Sequence, residues 1–380
     1  MNIDYVHFYV EDAPLWRHWF IHTLGFRHLA SSTNSHTQTE AIGVGEIRFL
    51  LSSPLNQASP IAHYLALHPP GIADIAFQVL NLEAMVAQAA AAGATVRCPI
   101  QYQIHSQGWN RWAQVSGWGD LSHTLVERRR SIAPIPLAIE NDRENRDRHP
   151  LSTLNWDGLL PAADSHPVAS WTGIDHLVLN VPVGELGRAI AWYETAFGFQ
   201  RQQAFSIHTG RSGLHSQVLV HPDGNAQLPI NEPASTGSQI QEFLDLNRGA
   251  GIQHIALQTV DIVQAIAQLR QMGMAFLHVP VTYYEQLKQR PGFPLSVQAW
   301  EAIAAQQILV DWQPELPQAT LLQTFTQPIF DQPTFFFEFI ERQTYQINDR
   351  CGQAQGFGEG NFRALFEAME REQMKRGSLN

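Results

Sequence analysis

Two stretches of the chain run through the same order of hydrophobic patterns, 180 residues apart. GIADIAFQVLNLEAMVAQAAAAGA begins at Gly71 and GIQHIALQTVDIVQAIAQLRQMGM at Gly251. Each opens with a dense apolar run, which predicts a strand, and continues with an apolar stripe of helical period. The stripes match position by position: Leu82, Met85, Val86 and Ala89 against Ile262, Ala265, Ile266 and Leu269. Both helices are predicted to stop at a glycine, Gly93 and Gly273, the residue that best tolerates a left-handed C-terminal turn. A second pair lies upstream. WFIHTLGF at 19–26 and WYETAFGF at 192–199 share four residue types, and the strand-like runs YVHFYVED and GIDHLVLNV precede them. Setting His7 against His176 puts the strands 169 residues apart and the helices 173, so the second copy carries a short insertion between them. A third pair is LSHTLVERR, from Leu121, and FFFEFIERQ, from Phe335. The two halves therefore read as copies of one α+β design, each with at least two strand–helix starts.

The join between the copies shows as a loss of periodicity over residues 131–170, where IENDRENRDRHP is polar and proline is frequent. The expected domains are 1–140 and 169–380, with 141–168 as the linker. At the far end, NFRALFEAMEREQMKRG places Phe362, Leu365, Phe366 and Met369 on one helical stripe. The glycine-rich run GFGEGNF before it predicts a hinged start, and such a helix either docks on a core or closes over a cleft.

Composition narrows the function classes. A chain of 380 residues has room for two ordinary cores. With 24 Lys+Arg against 35 Asp+Glu, it lacks the basic excess of a nucleic-acid binder. The run Arg128, Arg129, Arg130 reads as a solvated strand end. No apolar stretch is long enough to span a membrane. The opening MNIDYVHFYVED lacks the basic-then-apolar order of a signal peptide, so a cytoplasmic location is expected. Two cysteines, Cys98 and Cys351, cannot alone form a disulfide framework or a zinc site.

The repeated strands differ in chemistry. The second half carries His176, His254 and Glu338 where the first, in this alignment, has His7, Asp74 and Thr124. Two imidazoles and one carboxylate make up the facial triad of non-haem Fe(II) oxygenases, which leaves three positions open on an octahedral ion. Alternation sets Glu338 on the face of Phe336 and Ile340, away from Phe335, Phe337 and Phe339. A carboxylate among so many aromatic rings needs a cation or a hydrogen-bond donor, and an arginine would serve as well as a metal. Spacing alone leaves both a metal centre and satisfied core histidines open.

GIDHLVLNVP, PINEPA, SQIQEFLDLNRGAGIQHIALQT, LLQTFTQPIFDQPTFFFEFIERQ and GFGEGNFRALFEAMEREQ closely resemble the 4-hydroxyphenylpyruvate dioxygenase family of the vicinal oxygen chelate superfamily. The resemblance covers residues 171–379; the first half shares the layout with weaker motifs. It implies an α+β fold of two domains, each of paired βαβββ modules forming a curled open barrel, with a C-terminal helix over the second. It implies Fe(II) on His176, His254 and Glu338, with non-ligands in the first half. Substrate contacts would be Ser216, Asn231, Gln239, Gln253 and Gln323. Phe325, Phe336, Phe357 and Phe362 would form aromatic walls, with Asn361 at the start of the terminal helix. Strand alternation argues against Gln253 and its neighbour His254 sharing a face, so Gln253 is expected to support the site at most. The segment YQINDRCGQAQ reads as a loop insertion. The implied reaction takes 4-hydroxyphenylpyruvate and O2 to homogentisate and CO2 in a homo-oligomeric enzyme, with neither nucleic acid nor membrane as partner. Two other readings remain: a 4-hydroxymandelate synthase with the same iron and substrate, and a metal-free small-molecule binding protein. Whether the product would feed tyrosine breakdown or quinone and tocopherol synthesis is not written in these motifs.

Overall fold

The computed structural model describes residues 1–105, 108–130, 171–209, 211–347 and 350–379. The expected linker 141–168, and with it the domain boundary, lies outside them.

The first half forms one curled sheet of eight strands: β1 (Asn2–Tyr9), β2 (Arg27–Thr33), β3 (Thr37–Val44), β4 (Ile47–Pro54), β5 (Gly71–Gln78), β6 (Val96–His105), β7 (Gly108–Ser116) and β8 (Ser122–Arg130). The second repeats it with β9 (Trp171–Asn180), β10 (Gln200–His208), β11 (Gly213–Val220), β12 (Gln227–Pro233), β13 (Gly251–Thr259), β14 (Leu309–Gln313), β15 (Leu316–Phe325) and β16 (Phe336–Arg342). The strand orders are β2-β3-β4-β1-β5-β8-β7-β6 and β10-β11-β12-β9-β13-β16-β15-β14, so adding eight to each label converts one sheet into the other. Each sheet is two βαβββ modules joined through its central antiparallel pair, β1 with β5 and β9 with β13.

Local chemistry starts and stops the module helices as the pattern predicts. Asp12, Asn81 and Asp261 cap helices Ala13–Leu24, Leu82–Ala91 and Ile262–Gln271 by accepting a backbone N–H three residues on. Gly93 and Gly273 follow the latter two helices with φ of 93° and 88°.

The halves share one core. Phe8 meets Phe335 edge-on at 5.3 Å, and Phe20 meets Phe337 at 6.0 Å. Trp171 stacks on Phe339 and donates its indole N–H to the Leu24 carbonyl. The odd-numbered phenylalanines of this segment therefore face the first half, and Glu338 faces the inside of its own barrel, as alternation requires.

Three features depart from the sequence reading. Helices Val281–Leu287 and Val297–Ala305 are inserted between β13 and β14, with no counterpart in the first half. The segment read as a loop insertion folds into a hairpin of β17 (Thr344–Ile347) and β18 (Arg350–Gln353). The arginine run is not simply solvated, because Arg128 turns inward to grip Asp4. The C-terminal helix, Glu359–Arg376, docks through Phe366 on Leu214, Ile240, Phe243 and Leu244. Among the described residues, no helix is long and apolar enough to cross a membrane.

Candidate metal centre

Strand register brings the three candidate ligands together. Ala256 on β13 sits opposite His176 of β9 on one side and opposite Glu338 of β16 on the other. Its small side chain leaves space over the strand, and His254, two residues earlier on the same face, completes the set. The three offer ligand atoms that all lie within 4.8 Å of one another, and all three residues are buried. Nε2 of His176 and Nε2 of His254 stand 3.2 Å and 3.4 Å from the same oxygen, Oε2 of Glu338.

The charges settle one another. Burial alone would raise the Glu338 carboxyl, but the two imidazoles, His176 foremost, bring it down to about 2. Burial would lower His176, yet Glu338 and Asp175 outweigh it and lift the imidazole to about 9. For His254 burial wins and its pKa falls. A carboxylate held ionised beside two imidazole nitrogens is the donor set that suits a divalent ion of intermediate softness.

Surrounding groups orient the three. His176 donates Nδ1–H to Asp175 Oδ1 at 2.8 Å. Arg342 holds Asp175 through Nε and Nη2, at 2.6 Å and 2.8 Å. The Asp175 carboxyl lies well below the usual range; burial opposes this, but Arg342 and His176 prevail. Gln323 Nε2 donates to Glu338 Oε1 and to the Phe357 carbonyl, while Gln323 Oε1 accepts from Asn361 Nδ2. His254 Nδ1 has no partner among the described residues, and its ring is stacked on Phe336 at 4.7 Å.

Next to this cluster lies a pocket with about 40 Å³ of free space. Of the residues predicted for the substrate, Ser216, Asn231, Gln239, Gln253, Phe336, Phe357 and Phe362 line it, together with His176 and His254. Ser216 and Asn231 are cross-strand neighbours. Gln253 corrects the alternation argument. The β9–β13 register skips it, so it sits on a bulge between Ile252 and His254 and reaches the same pocket, 3.5 Å from Gln239 Oε1. Three further predicted contacts adjoin this lining: Phe325 pairs with Glu338 across β15 and β16 and meets Phe336 at 6.3 Å, Gln323 binds Glu338, and Asn361 binds Gln323. Sequence reasoning missed Phe205, Leu365 and Phe366 on the pocket wall, and it missed Asp175 and Arg342.

The register also corrects the repeat. Tyr5, not His7, sits opposite Ala76 as His176 sits opposite Ala256, so the first-half counterparts are Tyr5, Asp74 and Thr124. There Thr124 Oγ1 and Gln114 Nε2 both donate to Asp74, and His7 instead binds Ser52. These polar groups satisfy one another, and the two imidazoles that would complete a ligand set are missing.

The family model described as Glyoxalase/Bleomycin resistance protein/Dioxygenase superfamily matches residues 173–290. The 4-hydroxyphenylpyruvate dioxygenase of Caenorhabditis briggsae is 36% identical over 99% of this chain and 93% of its own length. That of Yarrowia lipolytica is 34% identical with the same coverage, 99% and 93%. Among solved structures, a triple mutant of 4-hydroxymandelate synthase from Streptomyces coelicolor superposes with a TM-score of 0.79 at 27% identity, covering 98% of both chains.

Proposed function

Because the chain belongs to the 4-hydroxyphenylpyruvate dioxygenase family, we propose that it converts 4-hydroxyphenylpyruvate and O2 to homogentisate and CO2, with iron(II) held by His176, His254 and Glu338. The observation that carries this reading is the buried His, His, Glu cluster, its ligand atoms within 4.8 Å of one another beside an aromatic pocket.

When bound, iron(II) supplies open positions for the keto acid and dioxygen and the redox chemistry that couples decarboxylation to ring hydroxylation. The protein supplies the rest. Phe336 and Phe357 flank the imidazoles and offer flat apolar surfaces to an aromatic ring. Ser216, Asn231, Gln239 and Gln253 are neutral, so they can donate to or accept from a phenol without adding charge to a buried site. Phe362, Leu365 and Phe366 of the C-terminal helix keep water out, and the phenylalanines resist oxidation better than Tyr or Trp would. Since the free space is about 40 Å³, the pocket has to widen before a substrate ring enters.

A second reading, synthesis of 4-hydroxymandelate, is favoured by the likeness to the synthase structure. Chromatography of the product made from 4-hydroxyphenylpyruvate, iron(II) and O2 separates the two. Homogentisate supports the proposal, and 4-hydroxymandelate overturns it in favour of the second reading. A protein that takes up no metal and gives no product would instead be a binding protein. His176→Ala should abolish turnover while leaving the circular dichroism spectrum in place. The reading also includes a cytoplasmic homo-oligomer, which light scattering and cell fractionation test.

A further inference from the structure

We propose that Asp175, clamped by Arg342, is a positioning residue that fixes the tautomer and orientation of His176 for the metal; this rests on the iron reading above. Both oxygens of Asp175 are engaged. Oδ1 accepts from His176 Nδ1 and from Arg342 Nη2, both at 2.8 Å, and Oδ2 accepts from Arg342 Nε at 2.6 Å. With Nδ1–H committed to Asp175, Nε2 is the ring nitrogen turned toward Glu338 and the shared ligand point, where a metal would take the place of its proton. Arg342 fixes the other side. Its Nη1 donates to the carbonyls of Ala354 and Gly356, at the start of the segment that carries Phe357 against His176.

The internal repeat separates architecture from chemistry. Asp175 is skipped on β9, just before His176, in the β9–β13 register, and Asp4 is skipped in the same way, just before Tyr5, between β1 and β5. Arg128 grips Asp4 through Nε at 2.9 Å and Nη2 at 2.7 Å, reproducing the hold of Arg342 on Asp175. The bulge and its Asp–Arg clamp therefore form in a half whose following residue is Tyr5, without any ligand histidine. In the second half the same carboxylate faces an imidazole. His254 has no such partner among the described residues, so orientation by a carboxylate is confined to His176.

The repeat also supplies the control. Cobalt(II) binding, followed by the visible absorption of the bound ion, is to be measured for the wild type, Asp175→Asn and Asp4→Asn. Asp175→Asn should weaken binding by roughly 10- to 100-fold and alter the band shape. Asp4→Asn removes the matched clamp and should leave both unchanged. Equal affinity and identical spectra for all three proteins overturn the proposal, as does an equal loss in both variants, which would mark a general structural role. If Asp175→Asn does not fold, Arg342→Lys, which keeps the charge and loses the two-pronged grip, is read in its place; wild-type affinity and spectrum in that variant overturn the proposal equally. A wild type that binds no cobalt refutes the metal reading itself, a result distinct from any difference among variants.

Discussion

Gln323 donates its amide nitrogen to Oε1 of Glu338 at 2.9 Å, so Oε2 alone faces the two imidazoles. The amide decides which carboxylate oxygen is free for an ion. Gln323→Glu keeps the shape and replaces the donor with a like charge. The variant should raise the Glu338 pKa and weaken metal uptake by roughly 10- to 100-fold, with the circular dichroism spectrum unchanged. A metal titration checks this, and wild-type affinity would count against it.

Gly358 constrains the same amide from the other side. Its φ is +74°, and a Cβ there would fall 2.0 Å from Gln323 Oε1, which is held by Asn361. Gly358→Ala should lower stability by more than about 1 kcal/mol, through the positive φ alone, and should lower turnover as well. Adding Gln323→Ala removes the obstacle. In thermal melts the double variant should therefore lose less than the sum of the two single variants.

Asp74 gives the first half a pH dependence. Burial pushes its carboxyl up to about 6, against the hydrogen bonds from Thr124 and Gln114. Between about pH 4 and 6 the native state then holds a proton that the unfolded chain has released, so stability falls as pH rises through that window. Asp74→Asn should abolish the fall and exceed the wild type by on the order of 2–3 kcal/mol above pH 6. Denaturant melts at pH 4 and pH 8 test this: the difference between the proteins should be small at pH 4 and full at pH 8.

Phe337 is fully buried between the halves, beside Phe20 and Phe49. Phe337→Ala should cost about 3–5 kcal/mol, and because the core is shared, both halves should weaken together. Hydrogen exchange read separately on β4 and β16 checks this. Loss of protection in β16 alone would mean that the halves are energetically independent.

The sequence made the fold legible because the same pattern occurs twice, and a repeat of that length fixes the strand–helix order by itself. The inward face of Glu338 was legible because β16 alternates without interruption, while His176 and His254 entered the candidate set through the repeated strands. Reading failed where the strands bulge. Gln253 and Asp175 each occupy a skipped position, so a period of two assigns them to the wrong face. His7 was set against His176 for another reason: the two were matched by residue type, two positions past Tyr5. One signal lay unused: Asp4 and Tyr5 precede Asp175 and His176 by 171 residues, and Arg128 precedes Arg342 by 214, the same step that separates Thr124 from Glu338. The helices Val281–Leu287 and Val297–Ala305 were missed because they have no repeat partner to reveal them.

The two-sidedness of β16 bears on how this enzyme is open to redesign. Phe336 lines the pocket and Glu338 faces the two imidazoles beside it, while Phe337 and Phe339 look into the seam with the other half. Selectivity and cohesion are therefore addressed by alternate codons of one short stretch. Substitution at Phe336, with Glu338 kept as the carboxylate of the cluster, varies the pocket wall without loosening the seam, and the odd positions hold a reserve of robustness to be strengthened first.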